Sequence, residues 1–160
     1  MADAERMLSQ AADMCEDGDF VGALKIYSKI LKKNPTNTDA LIDKGVALQN
    51  LGRLRQALRC FQKALAVDPK NITALVNTGS VLHSLGMFDE AIKCYDGALR
   101  IDKKCAMALA YKGLSLGEKG KIKDALKNFK KALSIDKDYD IALISKEIAQ
   151  KILKENFTQK

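Results

Sequence analysis

The 160-residue sequence predicts an all-α fold of stacked helix–turn–helix units, and three observations support this prediction. Glycine, alanine, leucine and aromatic residues recur at intervals of 34 residues, which indicates an internal repeat. Within each interval the apolar residues follow the i, i+3, i+4, i+7 spacing of amphipathic helices. Glycine or proline separates many of these apolar runs, as expected at turns between helices.

Five columns of residues define the repeat, and each column keeps one chemical class through four copies. The columns are Gly18, Gly52, Gly86 and Gly120; Ala23, Ala57, Ala91 and Ala125; Tyr27, Phe61, Tyr95 and Phe129; Leu24, Leu58, Ile92 and Leu126; and Leu31, Leu65, Leu99 and Leu133. Such agreement is not expected by chance, so the sequence predicts one structural unit repeated along the chain.

The second copy shows how a unit is built. Residues 41–51 and 54–65 each carry an apolar face with helical spacing. Gly52 lies between them, and glycine permits a tight reversal because it tolerates positive φ angles. Pro69 and Asn71 follow the second run. They indicate a second turn, because proline cannot continue a helix and asparagine caps the start of the next one. Each unit is therefore predicted to contain a helix, a turn, a second helix and a second turn.

Small residues are predicted to let these helices pack closely. The second helices carry the alanine column. The first helices carry a separate set of glycines, Gly45, Gly79 and Gly113. Side chains of this size allow helix axes to approach the short end of the range of roughly 8–10 Å. The aromatic column is then expected to fill the space between successive units.

These repeats resemble the tetratricopeptide repeat family, whose 34-residue helix–turn–helix unit carries glycine, alanine, aromatic residues and proline at fixed positions. The resemblance covers residues 4–37, 38–71, 72–105 and 106–139, and residues 140–155 are predicted to form a capping helix. It implies a right-handed α-solenoid of four repeats within one domain over residues 1–160. The sequence departs from the family pattern at two positions. The family's tryptophan is replaced by Met7, Leu41, Leu75 and Leu109, and the closing proline of the last two repeats is replaced by Lys103 and Lys137.

The sequence offers no constellation for catalysis, so we predict no enzyme activity, no catalytic residue, no metal site and no cofactor. The single histidine, His83, is interpreted as a solvated helix residue. The four cysteines contain no CxxC pair and are interpreted as free thiols of a cytoplasmic protein. No apolar run is long enough to span a membrane, and the first residues do not form a signal peptide, so no membrane association is expected.

The resemblance implies that the first helix of each repeat lines a concave groove that binds a partner. The groove residues are then Glu5, Leu8, Asp39, Ile42, Asp43, Val46, Val76, Asn77, Ser80, Met107, Tyr111 and Leu114, with Ile144, Ser145 and Ile148 added by the capping helix. Acidic residues near one end of an otherwise apolar groove predict a partner peptide or amphipathic helix of apolar or basic character. The alternative is that these acids only solvate their helices.

Some members of the family bind the C-terminal carboxylate of chaperone tails through lysine, asparagine and arginine side chains of three successive first helices. In the two possible registers the five places hold Leu8, Ala12, Asp43, Thr73 and Asn77, or Ile42, Val46, Asn77, Met107 and Tyr111. Only Asn77 matches the family pattern, and no cation is present to neutralise a carboxylate. A chaperone tail is therefore not the expected partner.

A basic set of residues gives an alternative binding surface. Lys25, Arg59, Lys93 and Lys127 recur at 34-residue intervals on the second helices, in a chain with a net charge of +7. Such a ridge could hold nucleic acid or an acidic protein surface. Because no aromatic residues are interleaved for base stacking, a protein or peptide is the expected partner rather than nucleic acid. The apolar capping helix leaves open a monomer or a weak dimer formed through that helix.

Overall fold

The structure of the protein is a computed structural model, and it describes residues 2–158. Within these residues the chain consists of α-helices joined by short turns, with no β-strand. The helices are α1 (Ala2–Glu16), α2 (Phe20–Lys33), α3 (Thr38–Asn50), α4 (Leu54–Val67), α5 (Ile72–Ser84), α6 (Phe88–Ile101), α7 (Ala106–Glu118), α8 (Ile122–Ile135) and α9 (Asp140–Thr158). The predicted all-α class of helix–turn–helix repeats is confirmed. Residues 1, 159 and 160 of the predicted domain lie outside the described residues.

The helices form two compact units, Met1–Val81 and Leu82–Lys160, which divide the chain within α5. In the first unit α2 packs against both α1 and α3, and α3 packs against α4. In the second unit α7 packs against both α6 and α8, and α8 packs against α9. First helices of successive repeats also meet, since α1 contacts α3 and α7 contacts α9.

The turn inside each repeat ends the first helix in the same way in every copy. Four glycines at this turn have φ angles between 70° and 82°, namely Gly18, Gly52, Gly86 and Gly120. In the second copy the Arg53 N–H donates to the Leu48 carbonyl at 2.8 Å, and the Gly52 N–H donates to the Gln49 carbonyl at 2.9 Å. This Schellman pattern satisfies the last carbonyls of the helix and requires the left-handed backbone that glycine adopts without strain.

From the second repeat onward, the turn between repeats is held by a carboxylate at its first position. The Lys70 N–H donates to the Asp68 side chain at 3.1 Å, and the Lys104 N–H donates to the Asp102 side chain at 2.9 Å. Lys103 stands in the later turn where the earlier copies have proline. The turn therefore keeps its hydrogen bond after the loss of the proline, because the bond depends on the aspartate.

The two phenylalanines of the aromatic column pack against the glycine of their own repeat. Phe61 and Phe129 are buried, and a Cβ built on Gly45 or Gly113 would lie 2.5 Å from the nearest carbon of the facing ring. Tyr95 stacks on Tyr111 of the following repeat, as the sequence predicts for the aromatic column, whereas Phe61 and Phe129 contact the glycine of their own repeat. The reason is that glycine has no side chain to hold the ring away from the first helix.

We predict that Gly113→Ala destabilises the fold and that Gly117→Ala, in the same helix, stabilises it. Alanine is the better helix former by about 1 kcal/mol at both positions. At position 113 the new methyl would collide with Phe129, and overpacking of this kind costs about 1–3 kcal/mol. At position 117 the methyl would meet no described atom within 4 Å. Urea unfolding of both variants measures the difference, and equal stability would contradict the importance of the ring–glycine contact.

Candidate functional site

Each unit carries its own part of the predicted groove. In the first unit, α1, α3 and α5 carry Glu5, Leu8, Asp39, Ile42, Asp43, Val46, Val76, Asn77 and Ser80. In the second unit, α7 and α9 carry Met107, Tyr111, Leu114, Ile144, Ser145 and Ile148. Because α1 contacts α3 and α7 contacts α9, first helices bring groove residues from neighbouring repeats close together within each unit.

Two of the predicted groove residues are buried beneath the surface. Ile42 is 7% exposed and Val76 is 2% exposed, so these side chains support the surface and offer little to a partner. Val46 and Met107, by contrast, are 37% and 46% exposed. The position of a residue in the repeat does not by itself show whether its side chain is buried or exposed. The neighbouring helices determine which side chains are covered.

The acidic part of the first unit is a pair of like charges on α3. Asp39 and Asp43 are four residues apart, so their side chains are neighbours on the helix surface. Within the part of the chain that the structure describes, neither carboxylate forms a salt bridge. Burial raises the pKa of the Asp43 carboxyl, and the charge of Asp39 raises it further. The ionised pair is therefore unfavourable as it stands, and a nearby cation would stabilise it.

Two further polar residues of the predicted groove lie on α5. Asn77 is half-buried on α5. The side-chain amide of Gln49 donates to the Ser80 hydroxyl at 3.0 Å, which ties α3 to α5. Ser80 therefore contributes to packing between first helices as well as to the predicted surface.

His83 is not the solvated residue that the sequence predicts. Its Nδ1 lies 2.9 Å from the Ser115 hydroxyl, and its ring packs edge-on against Phe88 with a centroid distance of 5.3 Å. Ser115 is fully buried in α7, so the histidine links α5 to α7. The spacing of residues in α5 could not reveal this contact, because the helix that covers the ring lies far along the chain.

The candidate surface of the second unit is mainly apolar. Ile144 and Ile148 lie one turn apart on α9 and are 60% and 55% exposed. Tyr111 on α7 stacks on Tyr95 with a centroid distance of 6.1 Å, which holds its ring in place. Exposed aliphatic side chains mark a binding surface where they join into one contiguous patch.

A cavity of about 330 Å³ opens between α7, α8 and α9 beside this surface. Its walls include Leu114, Gly117, Ile122, Phe129, Ile148 and Ile152. Leu114 and Ile148 are among the predicted groove residues, whereas sequence reasoning missed Gly117. The signal that could have found it is in the repeat itself, since every other copy has a side chain at this position.

The residues of the basic ridge are exposed on the second helices. Lys25 and Arg59 belong to the first unit, and Lys93 and Lys127 belong to the second. Among the residues that the structure describes, none of the four forms a salt bridge. Around Lys127, further lysines of α8 line a cleft that is open to solvent. The ridge residues are therefore accessible in both units.

Among the described residues, no three His, Cys, Asp or Glu side chains lie close enough together to hold a metal ion. The four cysteines are free thiols, and burial raises the pKa of the Cys60 and Cys94 thiols. No described helix combines the length and the apolar character needed to cross a bilayer.

Paired helices with a glycine turn inside each pair and small residues at the contacts define a helix–turn–helix repeat protein. Three sequence models of the tetratricopeptide repeat match the chain, over residues 15–63, 42–104 and 108–139. The chain belongs to the tetratricopeptide repeat family. No protein in the search of curated proteins matches it in sequence.

Solved structures of several proteins share this fold. A MamA protein matches with a TM-score of 0.79 and 24% identity, over 94% of this chain and 83% of that one. The pilF protein of Pseudomonas aeruginosa matches with a TM-score of 0.87 and 20% identity, over 95% of this chain and 69% of that one. A thermophilic protein of Thermus thermophilus, TTC0263, matches with a TM-score of 0.84 and 21% identity, over 98% of this chain and 87% of that one. Membership of the tetratricopeptide repeat family indicates a protein–protein interaction scaffold.

We predict that Asp43→Asn raises the free energy of unfolding at neutral pH and that this gain disappears in acid. The folded-state pKa of Asp43 lies above the ordinary value of 3.8, so stability is lost as the pH rises through the folded-state pKa. Because the side chain is only half-buried, we expect a gain of less than about 1 kcal/mol near pH 7.

Urea unfolding at about pH 7 and about pH 3 tests this dependence. At the lower pH both the folded and the unfolded chain hold the Asp43 proton, so the aspartate and the asparagine should behave alike. Glu5→Gln, at an exposed position of α1, removes one carboxylate elsewhere and serves as the control. A gain for Asp43→Asn that grows in acid would have the wrong sign for this explanation.

Proposed function

We propose that the protein is a non-catalytic scaffold that binds a peptide segment or an amphipathic helix of a partner protein, with apolar or basic character preferred. The observation that carries this proposal is the pair Asp39 and Asp43, which lacks a cationic partner within the described residues. A lysine or arginine of the partner would neutralise the pair. Val46 lies one turn beyond Asp43 on α3 and is exposed, so an adjacent aliphatic side chain would find an apolar contact there.

A free carboxylate does not suit the same surface. It would lie near Asp43, whose own ionisation is already disfavoured by burial and by Asp39. In the other possible register the carboxylate would meet Ile42 and Val46, which carry no charge. These features support a basic or apolar segment over the C-terminal carboxylate of a chaperone tail.

The scaffold is proposed to act in the cytoplasm, without a cofactor, as a monomer or as a weak dimer formed through α9. The exposed Ile144 and Ile148 support α9 as the place where two copies would meet. Light scattering over a range of concentrations distinguishes the two states. Loss of any dimer on Ile144→Lys is the result expected if α9 forms the contact.

We predict that the double variant Asp39→Lys/Asp43→Lys binds a basic apolar peptide about tenfold more weakly than the unaltered protein, because attraction becomes repulsion. The probe is a short fluorescent peptide of leucine and lysine whose two ends are blocked. Fluorescence anisotropy gives the dissociation constant, and added salt should weaken binding to the unaltered protein.

The matched control for this measurement is Asp13→Lys/Asp17→Lys. It makes the same change in net charge at two exposed positions outside the predicted groove. The control should bind the peptide nearly as well as the unaltered protein. Equal affinity for the Asp39/Asp43 variant and the unaltered protein would rule out the acidic pair as a binding element.

The exposed basic ridge favours a second candidate function, which is binding of nucleic acid or of an acidic protein surface. Its residues are Lys25, Arg59, Lys93 and Lys127. Phosphate contacts release counterions, so affinity for nucleic acid would fall steeply between about 50 and 200 mM salt. Filter binding with single-stranded RNA and duplex DNA measures this dependence, and the absence of salt-sensitive retention would exclude nucleic acid.

A further inference from the structure

One cavity of the second unit lies beside a glycine at a position where the earlier repeats carry a side chain. Gly117 lies in α7, and a Cβ at this position would meet no described atom within 4 Å. At the same place in the earlier repeats, at 34-residue intervals, stand Cys15, Gln49 and His83. The cavity of about 330 Å³ lies next to Gly117, between α7, α8 and α9.

The third repeat shows how this space is filled when a side chain is present. The ring of His83 packs edge-on against Phe88 of the following helix, with a centroid distance of 5.3 Å. Its Nδ1 lies 2.9 Å from the hydroxyl of Ser115 in the next first helix. The place between the three helices is therefore large enough for one ring and has a polar group that can pair with it.

The fourth repeat keeps the space and changes its chemistry. The counterparts of His83, Phe88 and Ser115, each 34 residues later, are Gly117, Ile122 and Ala149, and all three line the cavity. The ring is absent, an aromatic wall has become aliphatic, and the serine hydroxyl has become a methyl group. The same space is therefore open and apolar in the fourth repeat.

A carboxylate stands at the edge of this apolar space. Glu118 is exposed and carries the one charge among the described residues that line the cavity. Phe129, Ile148 and Ile152 supply apolar walls. An apolar cavity with one carboxylate beside it is complementary to a ligand that joins an apolar group to a cation.

We propose that this cavity, the Gly117 pocket, receives one leucine- or phenylalanine-sized side chain of a partner peptide, next to a lysine or arginine that pairs with Glu118. The proposal rests on the proposed scaffold function and adds the residue that anchors the partner. Leu114, Ser145 and Ile148 belong both to this pocket and to the predicted groove, so the pocket is continuous with the candidate surface. Its volume lies near the small end of the range for ligand sites, about 300–1,000 Å³.

The direct test is Gly117→His, which places in the fourth repeat the side chain that fills this space in the third. The probes are two short peptides with blocked ends and flanking lysines, one with a central leucine and the other with a central serine. Methyl NMR titration gives both affinities and reports on the isoleucines of the pocket. We expect the leucine peptide to bind about tenfold more tightly than the serine peptide and to shift the Ile122, Ile148 and Ile152 methyl signals.

In Gly117→His the affinity for the leucine peptide should fall to that of the serine peptide. Gln150→His introduces the same side chain at an exposed position of α9 outside the pocket and should bind like the unaltered protein. Gly117→Ala narrows the pocket by one methyl group and should show an intermediate loss, which decides the question if Gly117→His does not fold. Glu118→Gln should weaken binding and reduce its dependence on salt.

The outcomes separate this proposal from the scaffold function. If the leucine peptide binds but Gly117→His and Gly117→Ala bind it as tightly as the unaltered protein, the pocket proposal is wrong and the scaffold function stands. If neither peptide binds the unaltered protein, both proposals fail. If the protein self-associates in light scattering and Gly117→His abolishes that association, a second copy occupies the pocket and the proposed occupant is wrong.

Discussion

An aromatic ring that packs on a glycine fixes how closely the two helices of a repeat approach. Phe61 on Gly45 and Phe129 on Gly113 bring a second helix against its first helix with no side chain between them. A methyl group added at either glycine would lie 2.5 Å from the facing ring, and close-packed interiors are destabilised by such overpacking. The pairing of the helices, and so the faces that the first helices present, follows from this contact.

Once the pairs are fixed, residues that do not serve packing are left on the first helices. Asp39 and Asp43 are the clearest example in the first unit, since they repel one another and burial disfavours the charge of Asp43. A fold selected only for stability would place a base or an amide beside them. Binding surfaces commonly keep such unfavourable groups because a partner supplies what the free protein lacks.

Differences between repeats are as informative as the columns that agree. His83 and Gly117 occupy the same repeat position, yet one fills the space beneath the next helix and the other leaves it open. Because the surrounding helices are held by the shared columns, the exchanges of His83, Phe88 and Ser115 for Gly117, Ile122 and Ala149 accompany a change from a filled packing site to a cavity within the same fold. Stacked repeats can acquire distinct local surfaces in this way, since each repeat contacts mainly its neighbours.

The fold class, the helix pairs and the glycine turns follow from the amino-acid pattern, because a 34-residue period with helical spacing leaves few other structures for the chain. That pattern did not determine which first-helix residues are accessible: Val76 is covered, Met107 is exposed, and His83 is paired with a buried hydroxyl. The cavity beside Gly117 likewise depends on how the helices pack together. Burial depends on side chains from helices distant in sequence, whereas the 34-residue period records only what each repeat shares with the others.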